Sequence, residues 1–521
     1  MTARSLMVLG TASHVGKSLT TAALCRIFTR AGLRVAPFKA QNMSLNSAAT
    51  PDGLEIGRAQ ALQAEAAGVP PTVHMNPVLI KPGSDTSAQI VVRGKVWQTL
   101  DARTYHNHRA ITLLPIVEES YRELASTNDV VVLEGAGSPA EINLKDNDIV
   151  NMRMARLAQA PCLLVGDIDR GGVFASLLGT CALLDDEERR HIRGFLIHKF
   201  RGDQSLLMPG VHTMEQRLEI PCMGVVPWLH KLDLDEEDSI GFAKNTSAEW
   251  DQALNSAKLC IAVIAFPSIS NFTDFTPLLA EPSVSLRYIR EPAHLPTTGI
   301  VILPGSKQTA EDLNWLRSQG LEQPLRQYLQ NGGLLVGICG GFQMLGHEIL
   351  DPHGVESGGG QRGLGLLPIT TTLEKRKITT PARGELSGAT LFGTPIERPE
   401  LCGYEIHMGQ TAYLPDAIPF AKIHHNTEED EILDGCVSLN GRVWGTYLHG
   451  IFDHDSFRHT FLKTARAALH MPEAIGLFNW RQHRQQQLDR LADTFAEALD
   501  LNAIFGLLNS PRKSIKRNAL R

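Results

Sequence analysis

Two separate series of short apolar runs, each run followed by a longer helical pattern, constrain this chain more than any other feature. The first series comprises SLMVL at 5–9, LRVAPF at 33–38, DVVVLE at 129–134, CLLVGD at 162–167 and IRGFLIHKF at 192–200. The second comprises LCIAVIAF at 259–266, VSLRYI from 284, TGIVILPG from 298, LLVGI at 334–338 and RVWGTYLHG from 442. Such alternation predicts parallel sheets wrapped by helices, which place ligands at the carboxyl ends of their strands. Between the series lies HKLDLDEEDSIGFAKNTSAEWDQALNSAK, polar, acidic and poor in aliphatic runs. The expected organisation is therefore a first α/β domain over 1–235, a linker over 236–257, a second α/β domain over 258–465, and a helical extension with a basic tail over 466–521. A length of 521 residues accommodates this division.

Composition narrows the function classes. With 43% hydrophobic and 20% charged residues the chain has the make-up of a soluble globular protein, and no apolar stretch reaches the ~18 residues a membrane span needs. A net charge of -6 supplies no basic field for nucleic acid. The tail PRKSIKRNALR is the basic exception, and it reads as a solvated terminus. Eight cysteines without a C-x-x-C pair fit neither a disulfide framework nor a zinc ribbon, so reduced thiols and a cytoplasmic setting are expected.

The first run opens directly into GTASHVGKS, Gly10 to Ser18. A strand, a glycine turn and Gly16-Lys17-Ser18 at a helix start present backbone N–H groups and a positive helix end to phosphate oxygens. Lys17 would reach the terminal phosphates of ATP and Ser18 would ligate Mg²⁺. Thr11 stands where the common phosphate-loop pattern carries glycine, with Gly10 one place earlier. That variant, together with VVLEGAGS at 131–138 and FKAQNMSLN at 38–46, resembles the dethiobiotin synthetase group, which makes acyl phosphates from carboxylates. The resemblance implies ATP contacts from Gly10, Thr11, Gly16, Lys17, Ser18 and Lys39, and Mg²⁺ held by Ser18 and Glu134. It also sets His198 where those relatives tend to carry an asparagine near the adenine.

GICGGFQMLG, at 337–346, closes a strand on a cysteine between glycines and then starts a helix. This is the sequence of a nucleophile elbow: glycine permits the sharp turn, and the helix end favours thiolate at Cys339. Backbone N–H groups near Gly340, with the loop at Gly305, are suited to an oxyanion. His449, just beyond the strand RVWGTYL, is the expected base for the cysteine. The set LPGS, GICGGFQMLG and YLHG, within about residues 259–455, resembles class I glutamine amidotransferase domains of flavodoxin-like fold, in which the cysteine releases ammonia from glutamine. Usual members read H-P-E, but here the histidine is followed by Gly450 and Ile451, leaving Asp453, Asp455, Glu405 or an unaided Cys–His pair as alternatives.

An acyl-phosphate site joined to an ammonia source describes an amide ligase fed by glutamine. The motifs HMNPVLIKPGSD from 74, KDNDIVNM from 145, DIDRGGVFASLLGT from 167, HKFRGD from 198 and GYEIHMG from 403 extend the comparison over about nine-tenths of the chain, which resembles the cobyric acid synthase family. The resemblance implies a corrinoid acid as substrate and amidation of its side-chain carboxylates b, d, e and g. Asp167, Asp169 and Arg170 at a strand end, and Lys81 and Asp85 in an expected loop, are further groups suited to a polyanion. His407 reads as a structural histidine close to the cysteine site.

Overall fold

The structure is a computed structural model that describes residues 3–83, 87–230, 232–235, 258–426, 430–474 and 476–509. The expected linker at 236–257, Asp85 and the basic tail lie outside the described residues.

Two six-stranded sheets form as the apolar runs require. In the first, the spatial order is Cys222–Pro227, Ile192–Phe200, Cys162–Asp167, Arg4–Gly10, Val130–Glu134 and Val35–Phe38, all neighbours parallel. The strand Arg4–Gly10 is central and buried almost throughout, so its carboxyl end opens between two neighbouring strands rather than at a sheet edge. In the second, the order is Val284–Ile289, Leu259–Ile264, Ile300–Leu303, Leu334–Ile338, Val443–Thr446 and Cys436–Val437, parallel except for the last pair. Strand Leu334–Ile338 is fully buried and lies beside Val443–Thr446, which sets Cys339 and His449 at adjacent strand ends. Both sheets thus have the doubly wound α/β form expected from the alternation.

Smaller sheets decorate each half. The long antiparallel strands Ile369–Leu386 and Glu400–Tyr413 pair over most of their length beside the second sheet. On the first half, Gln41–Met43, Val78–Pro82, Ser87–Val92 and Lys95–Asp101 form a mixed sheet. Lys81 therefore sits in a buried strand, not in the loop the flanking prolines suggest: the VLI run is apolar enough to pair on both edges. The hairpin Ser47–Ala49 and Glu55–Gly57 reaches across to the second half, where the Ser47 N–H donates to Asn271 Oδ1 at 2.9 Å and the Tyr404 hydroxyl donates to the Ser47 carbonyl at 3.2 Å.

The chain then returns to where it began. Helix Trp480–Ala498, capped by Asn479, and helix Leu501–Asn509 lay Leu488, Leu491, Phe495 and Ile504 on a core shared with Leu6, Val8, Leu24 and Phe28 of the first half. Arg26 meets Asp489 at 2.8 Å along the same seam, a half-exposed pair worth less than the apolar contact beneath it. Truncating Phe495, fully buried against this core, is expected to cost about 3–5 kcal/mol. Phe495→Ala should lower the denaturant midpoint of the transition that unfolds the first sheet, measured by urea titration followed by circular dichroism.

Candidate active sites

The phosphate loop runs from Gly10 into helix Lys17–Arg30 through left-handed backbone at Gly16, whose φ is 103°. A Cβ on Gly16 would meet His198 Nδ1 at 2.3 Å, and one on Gly10 would meet Val15 Cγ2 at 2.6 Å, so the loop closes only with glycine at both places. The Lys17 ammonium donates to the carbonyls of Ala12 at 2.7 Å and Gly137 at 3.0 Å, which lays it across the loop. The Thr11 N–H is committed to the Val165 carbonyl at 3.0 Å. Ser18 Oγ donates to Glu134 Oε1 at 2.8 Å, and Lys39 Nζ reaches the same oxygen at 2.9 Å. The other oxygen, Glu134 Oε2, accepts from Gln63 Nε2 at 2.5 Å. Ser18, Lys39 and Glu134, predicted as one site from three separate segments, therefore meet within hydrogen-bond reach, while Lys17, the fourth residue of that prediction, is held on the loop's own side by Ala12 and Gly137. A hydroxyl and a carboxylate side by side at a phosphate loop are hard oxygen donors of the kind Mg²⁺ takes.

His198 lies beneath this loop with its ring 5.6 Å from that of Phe495. Burial, helped by the charge of Lys199, pushes its imidazole down to about 4, so it stays neutral at physiological pH. Lys199 bridges the His14 carbonyl and Asp167 Oδ2, each at 2.7 Å. Arg170 is exposed, and Asp169 lies 3.5 Å from Arg201.

The second site is built on a strained turn. Cys339 adopts φ 51° and ψ -107° between strand Leu334–Ile338 and helix Gly340–Leu345. A non-glycine residue held there costs on the order of 1–3 kcal/mol and persists only because its surroundings impose it. Here they do: the Cys339 N–H donates to the Thr446 carbonyl at 2.8 Å, and its own carbonyl accepts from Gln343 N at 3.0 Å. A Cβ on Gly341 would stand 1.9 Å from the Leu303 carbonyl, so the helix is seated directly on the neighbouring strand. Gly340 abuts the Ser306 N–H, and Gly305 faces His449 Cε1, since a Cβ on either would meet these atoms at 2.9 and 3.2 Å. Cys339, His449, Ser306 and Gln343 line one cleft, in which the Cys339 thiol donates to the Ile406 carbonyl at 3.7 Å.

The carboxylate that orients His449 is Asp274, which the sequence did not disclose. Its Oδ2 meets His449 Nδ1 at 2.6 Å, and its Oδ1 accepts from the Gly450 N–H at 3.0 Å. None of the three candidates named from sequence serves: Glu405 is committed to His425 at 2.5 Å and His407 at 3.3 Å, Asp453 faces Arg58 at 3.7 Å, and Asp455 pairs with Arg458 at 2.6 Å. Asp274 lies in a short turn after strand Leu259–Ile264, and the only signal for it was an acidic residue within the otherwise apolar run FTDFTPLL. His407 lines the same cleft but is locked in place, its ring stacked 3.8 Å from Tyr447 and its Nδ1 on the Gly409 carbonyl at 2.8 Å.

Electrostatics follow from this enclosure. Burial alone would push His449 down, but the charges of Asp274 and Cys339 outweigh it and raise the imidazole to about 10. At neutral pH the ring is an imidazolium. Because this value lies above the ordinary one, the stabilisation is fully present below about 6.5 and is lost as pH rises through about 10. A histidine titration followed by NMR should place His449 near pH 10, and Asp274→Asn should bring it down by at least two pH units; a value near 6.5 in both proteins would refute the pairing.

Residues 6–240 match the family described as the CobQ/CobB/MinD/ParA nucleotide binding domain, and residues 260–457 match the CobB/CobQ-like glutamine amidotransferase domain. The cobyric acid synthase of Moorella thermoacetica is 47% identical over 98% of this chain and 98% of its own. That of Thermoanaerobacter sp. is 45% identical over 97% and 99%, and that of Citrobacter koseri 46% identical over 98% and 100%. With both sites in place and agreement of this extent along the whole length, the chain belongs to the cobyric acid synthase family of glutamine-dependent amide ligases.

Proposed function

We propose that this protein amidates the b, d, e and g side-chain carboxylates of adenosylcobyrinic a,c-diamide to give adenosylcobyric acid, using ammonia from glutamine and activation by ATP. The observation that carries this reading is the presence, in one chain, of an elbow cysteine beside an Asp274-held His449 and of a phosphate loop whose Ser18 meets Glu134 and, through it, Lys39.

At the cysteine site, the Cys339 thiolate, whose proton His449 already carries, attacks the side-chain amide carbon of glutamine. The oxyanion forms against backbone N–H groups beside Gly340 and Gly305. His449, already protonated and held by Asp274, gives its Nε2 proton to the departing nitrogen, so ammonia leaves and a thioester remains. Water then attacks the thioester, with the neutral His449 taking its proton, and glutamate is released. The strained backbone at Cys339 fixes the sulfur direction before substrate arrives, so no orientation has to be found in the reacting complex.

At the phosphate loop, a substrate carboxylate oxygen attacks the γ-phosphorus of ATP, giving an acyl phosphate and ADP. Activation is required because oxide is not a leaving group whereas phosphate is. Ammonia then attacks the acyl carbon, phosphate departs, and the carboxamide is formed. Lys17 and Lys39 place positive charge where the transferred phosphoryl group gathers negative charge. Mg²⁺, when bound by Ser18 and Glu134, adds charge neutralisation at the same phosphates. The eight cysteines form no disulfide, which suits a cytoplasmic enzyme, and no described helix is long and apolar enough to cross a membrane.

The test incubates the protein with ATP, Mg²⁺, glutamine and a panel of corrinoid acids, reading the mass change per amide formed. Cys339→Ala is expected to lose at least a hundredfold of glutamine-driven amidation while amidation from added ammonium salts stays within about threefold. Loss of both activities in a folded variant refutes the division of labour. Glu134→Gln should abolish ATP turnover while leaving glutamine hydrolysis measurable.

A further inference from the structure

Three side chains that neither mechanism uses come together from two segments near the cysteine site. Glu400 and Cys402 belong to strand Glu400–Tyr413, and His454 to the turn that enters helix Asp455–Ala468. One ligand atom of each, a carboxylate oxygen, the sulfur and a ring nitrogen, lies within 4.8 Å of the other two. The backbone explains the meeting. Glu400 and Cys402 stand two apart on a strand and share a face, while the buried Leu401 takes the other. The turn is fastened to the same strand by paired bonds, from the Tyr404 N–H to the His449 carbonyl at 3.1 Å and from the His449 N–H to the Tyr404 carbonyl at 2.8 Å. The cluster is thus two residues from Tyr404 along one segment and five from His449 along the other.

The spacing is that of a metal's ligands. The Cys402 thiol donates to Glu400 Oε1 across 3.6 Å. Bond lengths of about 2.3 Å to sulfur and about 2.1 Å to oxygen, at a tetrahedral angle, set the same two atoms about 3.6 Å apart around Zn²⁺. His454 is free of other duties: it heads its helix but its side chain caps nothing, and its Nδ1, shut off from solvent, has no partner among the described residues. A buried ring nitrogen left so is uncommon and calls for a ligand. Cys402 is a free thiol, and with His454 and Asp453 it borders a hollow of about 230 Å³, room for an ion and its water.

We propose that Glu400, Cys402 and His454 bind a divalent cation of the zinc class, with a water in the hollow as fourth ligand, and that the bound ion pins together the strand and turn that carry the Tyr404–His449 bridge. On binding, a metal–sulfur bond replaces the S–H bond of Cys402 and the proton passes to solvent. One sulfur, one imidazole nitrogen and one carboxylate oxygen suit Zn²⁺ and disfavour Mg²⁺ and Ca²⁺, which take oxygen ligands. Asp453, on the same hollow, offers the metal-bound water an acceptor. The ion touches no substrate. It acts through what the two segments hold: the Tyr404 ring stacked 5.6 Å from that of His449, and the Gly450 N–H on Asp274 at 3.0 Å. The site stands outside both catalytic centres and does not depend on which acid the enzyme amidates.

The experiment uses the full chain carrying Cys339→Ala, so that the elbow thiol does not compete for metal. Titration with Co²⁺ should give one equivalent of a complex with a sulfur-to-cobalt charge-transfer band and visible bands of tetrahedral intensity, and Zn²⁺ should bleach both. Adding Cys402→Ser should remove the charge-transfer band, and adding either His454→Ala or Glu400→Gln should weaken Zn²⁺ binding at least tenfold. One equivalent of Zn²⁺, but not of Mg²⁺, should slow amide hydrogen exchange at Tyr404 and His449 at least tenfold, and should fail to do so once Cys402→Ser is added. Circular dichroism of each variant without metal checks its fold, and the two ligand changes other than Cys402→Ser keep the test open if one variant is unstable. No charge-transfer band, or one that survives Cys402→Ser, overturns the site. A band that Cys402→Ser removes, with exchange at Tyr404 and His449 unchanged by Zn²⁺, overturns the pinning of the bridge.

Discussion

A single buried carboxylate, Glu55, ties the two halves of this chain together, shared by Lys81 from the first and Lys377 from the second. Enclosing three charged groups costs several kcal/mol of desolvation for each ion, and well-packed apolar residues of similar size stabilise such places as well or better. Stability alone therefore gives no reason to keep the group. The burden is met locally: the Lys81 and Lys377 charges oppose the burial that would otherwise push the Glu55 carboxyl up, and hold it well below the usual range, so it remains ionised. The same contact brings the hairpin at 47–57 against Asn271 and Tyr404, within the layer that also holds His449, whose ring lies 5.6 Å from that of Tyr404. The buried Glu55 group thus lies in the same seam as the contacts that border the cysteine site.

The returning helices extend this logic. Trp480–Ala498 closes a face of the first sheet that its own helices leave open, and Arg484 binds both Asp235 at 2.6 Å and Glu65 at 2.7 Å. Asp235 also holds Arg58 at 3.0 Å, the first residue of the helix that carries Gln60 and Gln63. Local unfolding of these helices would therefore loosen the segment that ends on Glu134 as well as the hydrophobic core. Order at the nucleotide site depends on residues far along the chain.

Legibility in the sequence followed the range of each signal. Both sheets, the phosphate loop and the cysteine elbow were readable because their information is local: apolar runs of strand length, and glycines where a turn permits nothing larger. Gly341, seated against the Leu303 carbonyl, is such a case. Asp274 was not readable, since it meets His449 across 175 positions from a turn with no period of its own. Asp453, Asp455 and Glu405 were nearer in sequence or motif and each proved to have another basic partner. Lys81 was misplaced for a related reason. Its neighbouring prolines speak for a turn, but pairing of Val78–Pro82 with Ser87–Val92 is a tertiary fact that overrides them.

The cysteine site also shows why its histidine needs a buried aspartate rather than an exposed one. An imidazolium enclosed among Tyr404, Gly305 and Cys339 would shed its proton if desolvation acted unopposed. A carboxylate at 2.6 Å, itself buried and tied to the Gly450 N–H, reverses that balance without admitting water. Had the same carboxylate been supplied by a residue at the surface, solvent would have screened it and the ring would have been left neutral. A neutral ring draws the thiol proton, but it has none ready for the departing nitrogen until that transfer is complete. Placing the aspartate in a buried turn, apart in sequence from the histidine, is thus how the fold keeps the proton where glutamine cleavage first uses it.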